Sequence, residues 1–210
     1  MAGRDVQDVT LLAVSKTFGA DAVRQAHAAG QSAFGENYIQ EALQKMAELA
    51  ELPLQWHCIG PIQSNKSRLV AEHFDWAHTV DRLKLAERLS AQRPAGRAPL
   101  NVCIQVNIDG SPTKSGVVPG GALALARAVA ALPGLRLRGL MTIPEPAMDM
   151  EAGCAAHTSA RALFDQLNAE GLALDTLSMG MSADMDAAIA AGSTLVRVGS
   201  AIFGVRPSKA

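Results

Sequence analysis

The sequence has almost no surplus of charge: 19 Lys+Arg stand against 20 Asp+Glu, a formal net charge of -1. That balance argues against the basic surface that general nucleic-acid or acidic-membrane binding requires. No apolar run approaches the ~18 residues that span a bilayer. The opening MAGRDVQDVT lacks the apolar stretch of a signal peptide. Cysteine is scarce: Cys58, Cys103 and Cys154 are odd in number, far apart and form no CxxC pair. A disulfide framework is thereby disfavoured, and reduced thiols fit a cytoplasm. Cys58 and Cys103 lie inside apolar runs and read as small core residues. His27, His57, His73, His78 and His157 show no HxH or HxxxH spacing, which argues against a structural metal site. The expected protein is soluble and cytoplasmic, with no nucleic-acid or membrane partner.

What is abundant is a rhythm. Hydrophobic residues make up 49% of 210 positions, 38 of them alanine. A short apolar run, often β-branched, is followed by an Ala/Leu-rich helical stretch, and the cycle restarts. The pattern predicts strands over 9–16, 33–37, 54–60, 76–81, 100–108, 135–143, 174–180 and 194–203. Helices are predicted over 20–29, 39–52, 63–73, 82–92, 119–132, 150–170 and 182–191. Pro119 suits a first helical position, Asp21 a first turn, and Gly30, Gly171 and Gly192 suit left-handed C-terminal caps. Strands apolar nearly throughout, such as 102–106, fit a parallel sheet covered on its outer face. Eight strands alternating with helices predict an α/β fold, a single (β/α)8 TIM barrel over residues 1–210. A doubly wound open sheet is the runner-up, weakened because no GxGxxG follows the first strand. Arg93–Pro99 reads as a bottom-face turn, and Asp109–Pro119 and Pro144–Asp149 as top-face loops. Seven helices for eight strands leave the outer face between the last and first strands bare. The missing cover is expected at the N-terminus, and a bare apolar face marks an interface or a missing segment.

In such a barrel, chemistry collects at the C-terminal strand ends. Lys16 closes the first run, so its amine should enter a low-dielectric mouth suited to Schiff-base chemistry. Ser182, Gly199 and Ser200 belong to the loops after strands seven and eight, where phosphate sites often lie. Ser182 also reads as an ordinary helix N-cap. Arg197 alternates with Val196 and Val198 and so faces away from both. Inside a barrel it needs a ligand anion or acceptor, or a carboxylate such as Glu36; ligand contact is the favoured reading. Asn37 and His57 are less specific, since either suits a backbone bond at a strand end. Gln63, Asn65 and Lys66 suit the mouth or a solvated first turn about equally.

The segments AVSK at 13–16, FGENYIQEA at 34–42 and WHCIGPIQSNK at 56–66 resemble the pyridoxal phosphate homeostasis protein family. So do KSG at 114–116, LMTI at 140–143, SMGMSADMDAAIAAGST at 178–194 and VRVGSAIFG at 196–204. The matches run along nearly the whole chain in the family's order. The resemblance implies a barrel like the N-terminal domain of alanine racemase. It implies pyridoxal 5'-phosphate (PLP) held as a Schiff base on Lys16, with phosphate contacts from Ser182, Gly199 and Ser200. Arg197 would face the pyridine nitrogen, with Asn37 close by. The chain departs from the family in having little of the helix before the first strand. It also lacks a glutamate that the family commonly has near Ser111, while Lys114 remains as a secondary site for the aldehyde.

PLP enzymes use the pyridine ring as an electron sink, which works best with a protonated ring nitrogen. Arginine is effectively always cationic and cannot accept that proton. Racemases with this arrangement compensate with a second base from another domain, which one barrel does not provide. The expected protein is therefore a PLP carrier, not an enzyme. By resemblance it buffers intracellular PLP and delivers it to PLP-dependent apo-enzymes, as a monomer or weak homodimer. The rivals are a racemase-like PLP enzyme with a base donated in trans, and a Schiff-base aldolase acting on sugar phosphates.

Overall fold

The computed structural model describes residues 4–145 and 150–204, and in it eight parallel strands close into a barrel in chain order. The strands are β1 (Thr10–Val14), β2 (Ala33–Glu36), β3 (Gln55–Cys58), β4 (Trp76–Val80), β5 (Leu100–Val106), β6 (Leu135–Thr142), β7 (Thr176–Met181) and β8 (Leu195–Val198). Helices follow them in turn: α1 (Ala20–Ala28), α2 (Ile39–Glu48), α3 (Ser67–His73), α4 (Leu83–Gln92), α5 (Pro119–Ala130), α6 (Met150–Ala169), α7 (Met185–Ala190) and the single turn α8 (Ser200–Phe203). Closure is made by β1 on β8, with Leu12 opposite Arg197 and Ala13 opposite Val198. That pairing settles the choice between barrel and open sheet. No helix among the described residues is long and apolar enough to cross a membrane.

The predicted elements fall in order, with shorter ends. Most strands stop one or two residues early. The largest correction is the eighth strand, which ends at Val198; the apolar Ala201-Ile202-Phe203 run belongs to α8. The helix expected from Ser182 begins at Met185 with Asp184 at its N-cap position, so Ser182 sits in the preceding turn and is no cap. The 63–73 helix divides into a 3-10 turn (Ser64–Lys66) and α3. Gly30, Gly171 and Gly192 follow α1, α6 and α7 with φ of 100°, 90° and 98°, the left-handed conformation that ends a helix. Of the loop 144–149, residues 146–149 lie outside the described residues.

Outward strand residues pack against the helices in two clusters. Phe34, Trp56 and Phe74 belong to the first, with α1 to α4; Leu140, Leu177 and Met179 belong to the second, with Phe164 and Leu167 of α6. Inside the barrel, Trp76, Cys103 and Met141 form a small plug. Burial pushes the Cys58 and Cys103 thiols up to about 12, so both are inert packing groups. The bare outer face expected between the last and first strands is largely closed: Leu11 is 41% exposed, but Ala13, Val196 and Val198 are buried, and the single turn α8 follows β8.

Candidate functional site

A parallel barrel brings all its C-terminal strand ends to one rim. Lys16 lies just past β1 and Asn37 just past β2. Ser182 lies just past β7, Arg197 within β8, and Gly199 and Ser200 just beyond it. All six line a single cavity of 380 Å3. That falls within the ~300–1,000 Å3 of small-molecule sites. The remaining wall is largely apolar, from Val14, Phe18, Ile59, Ile143 and Met181, none of which the sequence singled out.

Arg197 is buried and supported from below. Its Nη1 donates to the Ser178 carbonyl and to Ser178 Oγ, both at 2.8 Å, and its Nη2 donates to the Thr142 carbonyl at 2.9 Å. Three of a guanidinium's five N–H groups are thereby used. The alternative partner Glu36 is elsewhere, on Lys45, and among the described residues no carboxylate forms an ion pair with Arg197. Burial lowers its pKa to about 10, so the group stays cationic at neutral pH.

Below Ser178 runs a relay of buried histidines. His78 Nδ1 meets Ser178 Oγ at 3.0 Å, His78 Nε2 meets His57 Nδ1 at 2.9 Å, and His57 Nε2 meets Gln55 Oε1 at 3.0 Å. With both imidazoles neutral, one arrangement satisfies every hydrogen. Ser178 accepts from Arg197 and donates to His78, His78 donates to His57, and His57 donates to Gln55. Burial keeps them neutral: it pushes the His57 pKa down to about 3 and His78 well below its usual value, helped there by His57 and Arg197. The sequence suggested only a backbone bond for His57 and nothing for His78.

The rim just past β7 and β8 offers neutral hydroxyls. Ser200 Oγ donates to Ser182 Oγ at 3.3 Å. As opening residues of α8, Ser200 and Ala201 have no intrahelical acceptor for their amides. A Cβ on Gly199 would sit 3.2 Å from the Val14 carbonyl, a crowding that glycine avoids. The turn carrying Ser182 is pinned by Asp184, which accepts from the Met181 amide at 2.6 Å and from His157 Nε2 at 3.0 Å. Burial raises the Asp184 pKa, but those two donors outweigh it and the net shift is downward. Asn37 is buried at Oδ1 with no donor to it among the described residues. Its backbone passes so close to Gly60 that a Cβ there would lie 2.1 Å from the Asn37 carbonyl, which fixes the β2 and β3 loop ends together.

Other expected residues lie outside this cavity. Gln63, Asn65 and Lys66 occupy the 3-10 turn region and do not line it. Lys114 lines an adjoining cavity of 210 Å3 that shares Asn37, Ile59 and Ile143 with the first. Its ammonium donates to Asp109 Oδ2 at 2.8 Å and to the Ile143 carbonyl at 3.1 Å.

The closed barrel with a lysine after β1 and an arginine on β8 defines a class, the barrels of the alanine racemase N-terminal type. The sequence model described as alanine racemase, N-terminal domain, matches residues 2–207. Within that class the chain belongs to the pyridoxal phosphate homeostasis protein family. A pyridoxal phosphate homeostasis protein of Pseudomonas aeruginosa is 63% identical over 205 residues, covering 98% of this chain and 88% of the relative. One from Escherichia coli K12 is 55% identical over 207 residues, with 97% and 88% covered. Among solved structures, PipY of Synechococcus elongatus with PLP bound is 43% identical with a TM-score of 0.87, over 96% of this chain and 95% of that one. An alanine racemase of Clostridium difficile superposes with a TM-score of 0.78 at 14% identity, over 97% of this chain and 54% of that one. At that identity the likeness is of fold alone.

Proposed function

We propose that this chain, residues 1–210 acting as one unit, binds PLP in the 380 Å3 cavity and holds it on Lys16. Its role is PLP homeostasis: buffering the cofactor and passing it to apo-enzymes, without substantial catalysis. The observation that carries this reading is the grouping of Lys16, the two serine hydroxyls and a carboxylate-free Arg197 on one cavity. The names of the relatives and the PLP bound to PipY support it.

The residues fit the group. Ser182, Ser200 and the first amides of α8 offer donors for a phosphate dianion. Asn37 Oδ1 is a buried acceptor still lacking a donor among the described residues. Arg197 keeps two N–H groups after its bonds to Ser178 and Thr142. When bound, PLP supplies an aldehyde that an amine captures reversibly and a ring able to act as an electron sink. Capture on Lys16 exchanges the aldehyde oxygen for the lysine nitrogen and releases one water. Arg197, cationic at neutral pH, would donate a hydrogen bond to a ring nitrogen placed against it but would not yield its proton. The sink therefore stays weak. The described residues that line the cavity include no Asp, Glu, His, Cys or Tyr that could serve as a second base. Tyr38, the only tyrosine, is outside the cavity wall and 56% exposed. Both points favour a carrier over a racemase-like enzyme.

Borohydride reduction of the PLP-loaded protein, followed by peptide mass mapping, tests the anchor. A reduced pyridoxyl adduct on Lys16, lost in Lys16→Ala, is the expected result. An adduct elsewhere, or equal PLP retention by Lys16→Ala, overturns it. Turnover of an amino-acid panel that disappears in Lys16→Ala would overturn the carrier reading in favour of an enzyme.

A further inference from the structure

Behind the cavity wall, on the helix-covered side of β1 and β2, three charged side chains converge without lining the cavity. Lys45 of α2 is buried at the side of Glu36, the last residue of β2, and of Glu41, one turn earlier in α2. Its ammonium donates at 2.7 Å to Glu36 Oε1, to Glu41 Oε1 and to the Ser15 carbonyl. An ammonium has three N–H groups, and all three are used. Ser15 returns a bond, its hydroxyl donating to Glu36 Oε1 at 2.6 Å. Glu41 Oε1 also accepts the Thr17 amide at 2.7 Å. The cluster thus grips the residue before Lys16 and the residue after it.

The backbone needs gripping at that point. Thr17 has φ of 70°, and it is the one non-glycine residue with positive φ among the described residues. A β-branched side chain disfavours that conformation, so it persists only where surrounding bonds impose it. Buried ion clusters often add less stability than packed apolar groups of similar volume.

We propose that Glu36, Glu41 and Lys45 form a clamp that positions Lys16 for reaction with an aldehyde-bearing ligand. The proposal rests on the Schiff-base reading above and deepens it. None of the three touches the ligand; they act through the backbone on either side of Lys16. The lysine nitrogen stands about 6 Å from its Cα, so a modest rotation at Thr17 displaces it by an ångström or more. A displacement of ~1 Å between reacting groups costs up to about a hundredfold.

Glu41→Ala removes the acceptor for the Thr17 amide at a side chain that is 30% exposed, so the fold should survive. Two ligands separate positioning from general damage: PLP, and pyridoxine 5'-phosphate, which keeps the ring and phosphate but has no aldehyde. Glu41→Ala is expected to weaken PLP binding by about tenfold or more, with pyridoxine 5'-phosphate binding unchanged. Glu41→Gln, whose amide oxygen can still accept from Thr17, is expected to restore PLP binding. In the ligand-free protein, hydrogen exchange at the Thr17 amide should accelerate in Glu41→Ala and not in Glu41→Gln. Equal losses for both ligands, or an unchanged PLP to pyridoxine phosphate ratio, overturn the clamp while leaving the Schiff base standing. A parent protein that shows no adduct on Lys16 overturns the Schiff-base reading, and the clamp with it.

Discussion

Two buried cations flank the cavity, and they are treated in opposite ways. Lys45, behind the Lys16 turn, is held between two carboxylates and a carbonyl. Arg197, on the cavity wall, donates to two carbonyls and a hydroxyl, with neutral histidines hydrogen-bonded behind the hydroxyl. A buried charge costs several kcal/mol unless something compensates it. Lys45 is compensated fully inside the protein and serves the fold around it. Arg197 is hydrogen-bonded to dipoles only, with Asp184 acting on it from beyond contact, so its charge remains available to whatever enters the cavity. A carboxylate beside Arg197 would have removed that availability. The contrast separates a cation that builds from a cation that waits for a ligand.

The sharpest way to break this contrast is to remove each cation. Lys45→Met leaves the Glu36 carboxyl buried without its partner, and breaking such a pair costs about 3–5 kcal/mol. Arg197→Met leaves only carbonyls and a hydroxyl short of a donor, at about 1–3 kcal/mol, yet should abolish selective retention of PLP. Urea unfolding and PLP titration of both variants give the answer. Equal stability losses would show that Arg197 is as structural as Lys45.

The second contrast is in pH. The folded histidine relay resists protonation, while His57 and His78 in the unfolded chain titrate near 6.5. Below that value the unfolded chain binds protons that the folded one refuses, so the relay's stabilisation, present above pH 6.5, drains away toward about pH 3 for His57. Glu36 runs the other way. Burial raises its folded pKa against the pull of Lys45, so its contribution is present below its unfolded value and lost as pH rises through the folded one. Between pH 6 and pH 5 the two histidines should cost about 2 kcal/mol of unfolding free energy. The double variant His57→Phe/His78→Phe should be less stable at pH 7 but nearly flat across that interval. An unchanged slope would mean that the histidines are not held neutral.

The barrel was legible because strands covered on both faces are apolar throughout, and because helices between them end in glycines that adopt positive φ. The six site residues were legible because barrel strand ends share one rim. The supports behind them were not. Glu41 and Lys45 have the i,i+4 spacing of a solvated surface pair, and nothing local shows that α2 leans this face onto Ser15. His78 sits in a fully buried strand with no local sign of its role, and its partners come from 21 and 100 residues away. The apolar 201–203 segment suggested strand because hydrophobicity alone does not distinguish a short apolar helical turn from a strand continuation.

The smallest effect belongs to the third way of meeting charge, the neutral corner at Ser182 and Ser200. Apart from Lys16 and Arg197, no cation among the described residues lines the cavity. A phosphate there would be held by hydroxyls and amides, each contributing modestly, and Ser200 Oγ lies close enough to Ser182 Oγ to take over part of its work. Ser182→Ala should therefore weaken PLP binding only several-fold, about 0.5–1.5 kcal/mol, with no change in unfolding stability because Ser182 does not cap α7. The double variant Ser182→Ala/Ser200→Ala should lose more than the sum of the singles, since neither hydroxyl can then substitute for the other. Strict additivity would mean that the two hydroxyls do not share one anion, and would move the phosphate away from this corner.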